Sequence, residues 1–350
     1  MNVTEESIAR EAGVSKASVS RFFDPRQSLK PETRARIEPL IEKYEFRPKK
    51  RTVFKKRAKT GVCGLLAPFS SDICESAYHR AIFGGIIEGL KASEYDLRLI
   101  MMRDEDYHNL RRFLEKYLID GLLILTWRSH PNLIKLVESG SKPFPVMLLN
   151  DFERNVNAHF VYCDVTEGPR KAIDHLVRSG RMKIAFLKGP THNRIGSDEN
   201  AMHIESIDSR DKYEGFRQAM TSYRLGLNEE WIRECECYTK KEGYLKAAEL
   251  FGRGERPDGV ICSNDALAAG VLAYLKEHGI RCPEDVSVIG FDGYDEGESA
   301  DPPLTTIKQP LREMGRKASE QLIDIITGRF FSSGSFRFKF EPELVVRKSA

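Results

Sequence analysis

Apolar residues recur at helical spacing in three short runs near the start of the chain. Ile8, Ala9 and Ala12 form one stripe, which Thr4 can cap and Gly13 ends. Ser15 opens a second run as an N-cap, Val19 is its inward residue, and Asp24-Pro25 closes it, which predicts a helix over 15–23. Pro31 and Glu32 open a third, in which Ile37, Leu40, Ile41 and Tyr44 recur as a core stripe. Gly13 supplies the permissive backbone that a sharp turn between the first two helices needs. The three stripes are therefore expected to close one small core around a helix-turn-helix, with its second helix presented outward.

After Gly61 the pattern changes to short apolar runs alternating with helical ones. Strands are predicted at 62–67, 97–102, 121–125 and 146–150, with helices at 81–92 and 109–117 among them. A second series starts near Val161: helix 168–179, strand 184–187, helices 212–223 and 241–251, strand 259–263, helix 266–278 and strand 286–291. Alternation of this kind implies parallel sheets covered on both faces, and two series imply two lobes with a cleft between them. The expected fold class is α/β, a three-helix head at 1–46, a hinge at 47–60 and a two-lobed core at 61–350. Ligands of such sheets sit outside the carboxyl ends of the strands, so the residues that follow each strand are the candidates for binding.

Charge divides the chain in the same place. Residues 1–60 hold 16 Lys/Arg against 8 Asp/Glu, and the remainder 39 against 44. A basic head on a mildly acidic body points to a polyanionic partner for the head and a different task for the body. The seven cysteines are scattered, with only Cys235-x-Cys237 close together, so buried reduced thiols are expected and zinc is not. No Gly-x-Ser-x-Gly elbow, Walker loop or His-Glu-x-x-His is present, and no cofactor is expected of this non-enzymatic chain. Without a signal peptide or a twenty-residue apolar run, the protein is expected in the cytoplasm and not in a membrane.

The outer face of the second helix carries Lys16, Ala17, Ser18, Ser20 and Arg21. Such a face suits a major groove, where Lys and Arg meet guanine acceptors and Ala touches a thymine methyl. Lys16 and Ala17 are the expected base readers with Arg21 as a further one, and Ser15, Ser18 and Ser20 are expected to hold the DNA backbone. Lys49, Lys50 and Arg51 precede Val53 and Phe54 in a run too basic for a core. This is either a solvated linker or a hinge whose cations meet phosphates while an apolar side chain wedges between base steps.

Several motifs in order carry a resemblance to bacterial transcriptional regulators of the lactose/galactose repressor (LacI/GalR) family. They are Gly13-Val14-Ser15 with Val19-Ser20-Arg21, Pro31-Glu32-Thr33-Arg34, Asp120-Gly121-Leu122, His175-Leu176 with Gly180, and Pro257-Asp258-Gly259. Ser263-Asn264-Asp265 with Ala268, Gly290-Phe291-Asp292, Pro302-Pro303-Leu304-Thr305-Thr306-Ile307 and Glu343-Leu344-Val345-Val346-Arg347 complete the series. The resemblance implies a core like that of periplasmic sugar-binding proteins, crossed three times by the chain. Its first lobe would comprise about 61–160 and 293–325, and its second about 161–292 and 326–350. It also implies a homodimer on pseudo-palindromic operator DNA, a hinge that folds there, and a small effector in the cleft that controls operator affinity. The chain is thus expected to be a repressor.

On the same resemblance, Asp292 is the carboxylate that accepts effector hydrogen bonds, and Lys212 stands where relatives carry an arginine. Lysine lacks the bidentate fork, so recognition there departs from the family's. Tyr238 falls at a stacking aromatic, and Asp164, Asn264 and Gln309 at further polar cleft positions; Asn264 also suits a helix cap. Thr126 and Trp127 border the cleft by position alone. That mixture suits a sugar or sugar derivative, with a nucleobase or a phosphorylated metabolite left open. A sugar-binding protein of the periplasmic type is the alternative class, against which the basic head argues. Two further departures stand out. The hinge has Lys49 and Lys55 where relatives place Asn and a minor-groove Leu, leaving Val53, Phe54 or charge alone for that role. Residues 190–211, with His192, Asp198, His203, Glu205 and Asp208, form a long connection, read as a surface loop, a cover for the cleft or a metal site.

Overall fold

The structure, a computed structural model, describes residues 5–22, 29–44, 59–67, 76–101, 116–125, 137, 144–150, 152, 155–195, 202–252, 254–329 and 334–350. The chain divides into two compact units, Met1–Arg57 and Ala58–Ala350. Thr4 and the hinge residues Lys49, Lys50, Arg51, Val53 and Phe54 lie outside the described residues, as do Thr126 and Trp127.

In the first unit, α1 (Glu5–Ala12), α2 (Lys16–Phe22) and α3 (Pro31–Lys43) bury Ile8, Ala9, Ala12, Val19 and Ile37 against one another. Gly13 makes the turn at φ +62°, a region that costs a side-chain-bearing residue energy. Its carbonyl accepts a hydrogen bond from Arg36 Nη2 at 3.0 Å, which ties the turn to α3. Ser15 caps α2, its Oγ accepting from the Ser18 amide at 3.2 Å. Tyr44 leaves the expected core stripe: it is half-buried, and its hydroxyl donates to the Glu11 carboxylate at 3.0 Å.

Among its described residues the second unit holds two six-stranded sheets. β1 (Val62–Leu66), β2 (Asp96–Ile100), β3 (Gly121–Leu125), β4 (Val146–Leu149) and β5 (His159–Cys163) belong to the first. β6 (Ile184–Lys188), β9 (Ile232–Glu234), β10 (Gly259–Cys262), β11 (Ser287–Asp292) and β12 (Thr305–Lys308) belong to the second. The two closing strands are shared out: β13 (Arg337–Phe340) joins the first sheet beside β5, and β14 (Glu343–Val345) joins the second, antiparallel to β12. Every other pairing within these two sheets is parallel. Strands β3, β4, β10 and β11 are buried along their whole length, as the continuous apolar runs of covered parallel strands require.

The chain crosses between the lobes three times, at places other than those expected. β5 does not open the second lobe; it pairs with β4 in the first sheet. Residues 293–308 stay with the second sheet, because β12 pairs with β11, and the second crossing follows Lys308. The third crossing lies between β13 and β14. Apolar periodicity marks a strand but not its neighbour, which is chosen by backbone pairing.

The fully described α-helices of this unit are α4 (Ala77–Lys91), α5 (Glu167–Arg178), α6 (Ile207–Ser222), α7 (Lys240–Phe251), α8 (Asp265–Glu277) and α9 (Leu311–Thr327). α4 and α9 approach closely because Gly85 lies against the backbone of Arg312 and Gly315 against that of Ile82, with no room for a β-carbon at either. Two helices start four or five residues earlier than predicted. α4 begins after the cap Ser76, and α6 after Ser206, whose Oγ accepts from the Ser209 amide at 3.3 Å. Within 190–211, β7 (His192–Ile195) and β8 (Met202–Glu205) pair antiparallel as a separate two-stranded sheet and α6 follows directly, while Asp198 and the side chain of His203 lie outside the described residues. Among the described residues no group of His, Cys, Asp and Glu could hold a metal ion, and no helix is long and apolar enough to cross a membrane. Cys63, Cys163, Cys235 and Cys262 are buried free thiols, and burial pushes Cys63 and Cys235 up to about 12.

Candidate functional site

A cavity of about 510 Å³ opens between the two lobes. The first lobe contributes Ser76, Tyr78 and His79 from the start of α4 and Asn150 from the end of β4. The second contributes Asp208 and Lys212 from α6, Tyr238, Asn264 and Asp265, and then Asp292 and Tyr294 from the end of β11. The strand ends thus meet the ligand space as parallel sheets dictate.

Lys212 lies at the base of the cavity with only 2% of its side chain exposed. Its ammonium is 2.9 Å from the Ser263 carbonyl, 3.0 Å from Asp208 Oδ2 and 3.5 Å from Asp292 Oδ1, and it sits 4.1 Å from the centre of the Phe291 ring. An ammonium has three donors, and three acceptors surround this one. Burial acts to depress the Lys212 pKa, but the two carboxylates more than offset it and hold the value above that of an ordinary lysine. Burial raises Asp208, with Lys212 opposing. The two directions agree physically, because the one buried cation has two carboxylates beside it while Asp208 must share that cation with Asp292.

Neutral donors complete the set. Tyr294 donates to Asp292 Oδ2 at 2.5 Å, Gln309 Nε2 donates to Asp292 Oδ1 at 2.8 Å, and Tyr238 donates to Asp208 Oδ2 at 3.4 Å. Burial, followed by the nearby carboxylates, lifts both tyrosines well above their usual range, so their hydroxyls remain protonated donors. Asp292 holds φ +91°, an unusual angle for a residue with a side chain, and this aims its carboxylate across the end of β11. Asp265 lies just behind, accepting from Thr306 Oγ1 at 2.5 Å and from the Tyr294 amide at 2.7 Å, and burial pushes it up to about 7. On the other lobe Asn150, at φ +73°, donates to the Tyr78 hydroxyl at 2.5 Å. At the mouth, Arg80 of α4 pairs across the lobes with Glu296 at 3.1 Å.

The expected residues therefore separate. Lys212, Tyr238, Asn264 and Asp292 line the cavity. Asn264 also caps α8, accepting from the Leu267 amide at 2.8 Å. Gln309 is buried behind Asp292 and reaches the cavity only through it. Asp164 lies elsewhere: it accepts from Thr166 Oγ1 at 2.6 Å and pairs with Lys339 at 3.2 Å beside the crossing from β5 to α5. It thus ties the residue after β5 to β13, the neighbouring strand of the first sheet, and to Thr166 just before α5. Tyr294, Tyr78 and Asn150 are not among the residues the sequence singles out, and Asp208 is there only as a member of the 190–211 connection. Asp208 was within reach, since one turn separates it from Lys212 once α6 is begun at Ser206.

In the first unit, Lys16 and Arg21 are exposed on α2, and Lys16 forms an ion pair with Glu6 of α1. The Ser15 and Ser18 hydroxyls are 2.9 Å apart. The side chains of Ala17 and Ser20 lie outside the described residues.

Residues 6–49 match the family of bacterial regulatory proteins called the lacI family, and residues 173–350 match the periplasmic binding protein-like domain. The chain belongs to the LacI family. It is a DNA-binding transcriptional repressor of that family, whose members are regulators and not enzymes. The HTH-type transcriptional repressor PurR of Vibrio parahaemolyticus is 28% identical over 357 residues, covering 99% of this chain and 98% of the relative. PurR of Haemophilus influenzae is 28% identical over 349 residues, with 99% and 98% covered. The transcriptional regulator CelR, solved in complex with cellobiose, aligns at a TM-score of 0.72 with 25% identity and all of both chains covered. The lac repressor dimer bound to operator and the anti-inducer ONPF shares the fold at a TM-score of 0.68 and 22% identity, with 100% and 99% covered. The α1–α3 unit of this LacI-family repressor is accordingly its DNA-binding head, and the two-sheet unit its periplasmic-binding-like core.

Proposed function

We propose that the repressor binds a pseudo-palindromic operator as a homodimer and that a neutral, hydroxyl-rich effector, a sugar or sugar derivative, controls that binding from the interlobe cavity. The observation that carries the effector class is the saturation of Lys212: its three donors meet Asp208, Asp292 and the Ser263 carbonyl. The buried cation is thus occupied internally, and the cavity offers an entering ligand carboxylate acceptors and tyrosine faces. Acceptors of this kind favour hydroxyl donors and disfavour phosphates, which need an unpaired cation. The fold neighbour solved with cellobiose supports the same class. An effector that touches Tyr78 and Asn150 on one lobe and Asp208 and Asp292 on the other biases one lobe arrangement by its difference in affinity for the two.

A purine base is the second reading, favoured by the PurR relatives and compatible with the flat faces of Tyr78, Tyr238 and Tyr294. On the DNA side, Lys16, Ala17 and Arg21 are assigned to bases, Ser15, Ser18 and Ser20 to the backbone, and Lys49, Lys50, Arg51, Val53 and Phe54 to the hinge contact. The test is a thermal-shift panel of neutral sugars, free purine bases and sugar phosphates, followed by operator binding with each hit. Stabilisation by a neutral sugar that also changes operator affinity supports the first reading. Response to purines alone replaces it with the second, and response to sugar phosphates alone refutes the argument from Lys212. Asp292→Asn is expected to abolish the effector response while leaving operator binding within about twofold; unfolding of this variant would assign Asp292 to structure instead.

A further inference from the structure

Glu6 puts a negative charge beside the recognition helix of a head whose net charge is basic. It lies near the start of α1, 66% exposed, and its carboxylate forms an ion pair with the ammonium of Lys16, 47% exposed, at the first position of α2. The Gly13 turn brings the two together, because it folds α2 back so that Ile8 and Val19 share a core while Glu6 and Lys16 meet outside it. A surface ion pair of this kind adds little to stability, so its meaning lies in what the two groups present side by side.

A carboxylate near DNA is repelled by the phosphates unless it accepts from a base. One base pair offers what this pair lacks. In the major groove, guanine shows two acceptors, O6 and N7, and the cytosine opposite shows one donor, its N4 amino group. Lys16 has three donors and Glu6 only acceptors. An ammonium that keeps one donor on Glu6 still has two for guanine, and the carboxylate that orients it accepts from cytosine N4. An A·T pair reverses the pattern, with an amino group on adenine beside N7 and a carbonyl on thymine that would face the carboxylate.

We propose that Glu6 and Lys16 act as one specificity-determining unit that reads a single G·C pair in each operator half-site. The assignment rests on the reading of α2 as the helix that enters the major groove. Glu6 contributes discrimination at that pair and lowers affinity for all other sequences.

The experiment selects operators from a library of duplexes with randomised half-sites, using the full chain and its Glu6→Ala and Lys16→Ala variants, and then measures affinity for single-base-pair changes. The wild type is expected to prefer G·C over A·T at one position per half-site. Glu6→Ala is expected to lose about tenfold of that preference at the same position, and Lys16→Ala to lose it there too, with other positions unchanged. Glu6→Ala also steepens the salt dependence by about one phosphate contact. If Glu6→Ala tightens binding to every sequence equally and leaves preferences intact, Glu6 merely masks a cation and the proposal fails. Losses at two different positions for the two variants overturn the single unit. Absence of any sequence preference in the wild type removes the groove assignment itself, a failure separate from loss of the Glu6 role alone.

Discussion

Replacing Lys212 by Met keeps the length and apolar stem of the side chain and deletes its charge. In the folded protein the ammonium is the cation between Asp208 at 3.0 Å and Asp292 at 3.5 Å, all three groups lying under the cavity. Removing one partner of a buried ionic group costs about 3–5 kcal/mol, because the charge left behind is uncompensated. At roughly 2–4 °C per kcal/mol for a large domain, the core should melt about 10 °C below the wild type at pH 8. The loss should shrink in acid. Burial already raises the Asp208 pKa, and without Lys212 its main opposing charge is gone. A carboxyl whose folded pKa lies above its unfolded value destabilises as pH rises through the folded value and is harmless below the unfolded one. The variant should therefore approach wild-type stability near pH 4 and diverge toward pH 8. Adding Asp208→Asn should restore part of the loss at pH 8, since one buried charge then disappears. Calorimetric melting across this pH range checks all three expectations. A Lys212→Met protein that melts within about 2 °C of wild type at pH 8 would show that water or a rearrangement compensates the carboxylates, and the assignment of a saturated internal cation would fall.

Asp265 supplies a second pH effect. Burial pushes it up from 3.8 to about 7, so its contribution to stability is full below about pH 4 and is lost as pH rises toward 7, by up to about 1.4 kcal/mol per pH unit. Urea unfolding between pH 5 and 8 should show this fall, and Asp265→Asn should flatten it; an unchanged slope would place the titration elsewhere. Gly13→Ala forces a β-carbon into φ +62° and against the Arg36 guanidinium, and should destabilise the head by about 1–2 kcal/mol. Reduced helicity of the head and weaker operator binding, with core melting unchanged, are the expected signs. Arg80→Ala removes the pair with Glu296 that joins the lobes at the cavity mouth. Because that pair is exposed, core stability should change by less than about 1 kcal/mol, whereas effector release measured by stopped flow should speed up several-fold; an unaltered release rate would deny the pair a part in closure.

Local pattern carried a large part of this protein. The three helices of the head, the turn at Gly13, the capping role of Ser15, the inward Val19 and Ile37 and the basic charge of the first sixty residues follow from spacing and residue type, which act over a few positions. The same holds for β3, β4, β10 and β11, whose unbroken apolar runs admit only burial on both faces. Motifs also located Lys212, Tyr238, Asn264 and Asp292 before they were seen to line one cavity.

Tertiary structure decided what depends on partners distant in the chain. Whether β5, β12 and β13 belong to one lobe or the other is a question of backbone pairing, and the apolar pattern of a strand is the same beside either neighbour. Asp164 could be placed after a strand, but only the approach of Lys339 from 175 residues away fixed it against β13 and outside the cavity. Lys212 is the sharpest case. Its position was legible, yet its chemistry was set by Asp208 on the same helix face, Asp292 at the end of β11 and the Ser263 carbonyl. A charge is defined by what surrounds it, and in a folded chain those surroundings are assembled from segments that the sequence keeps far apart.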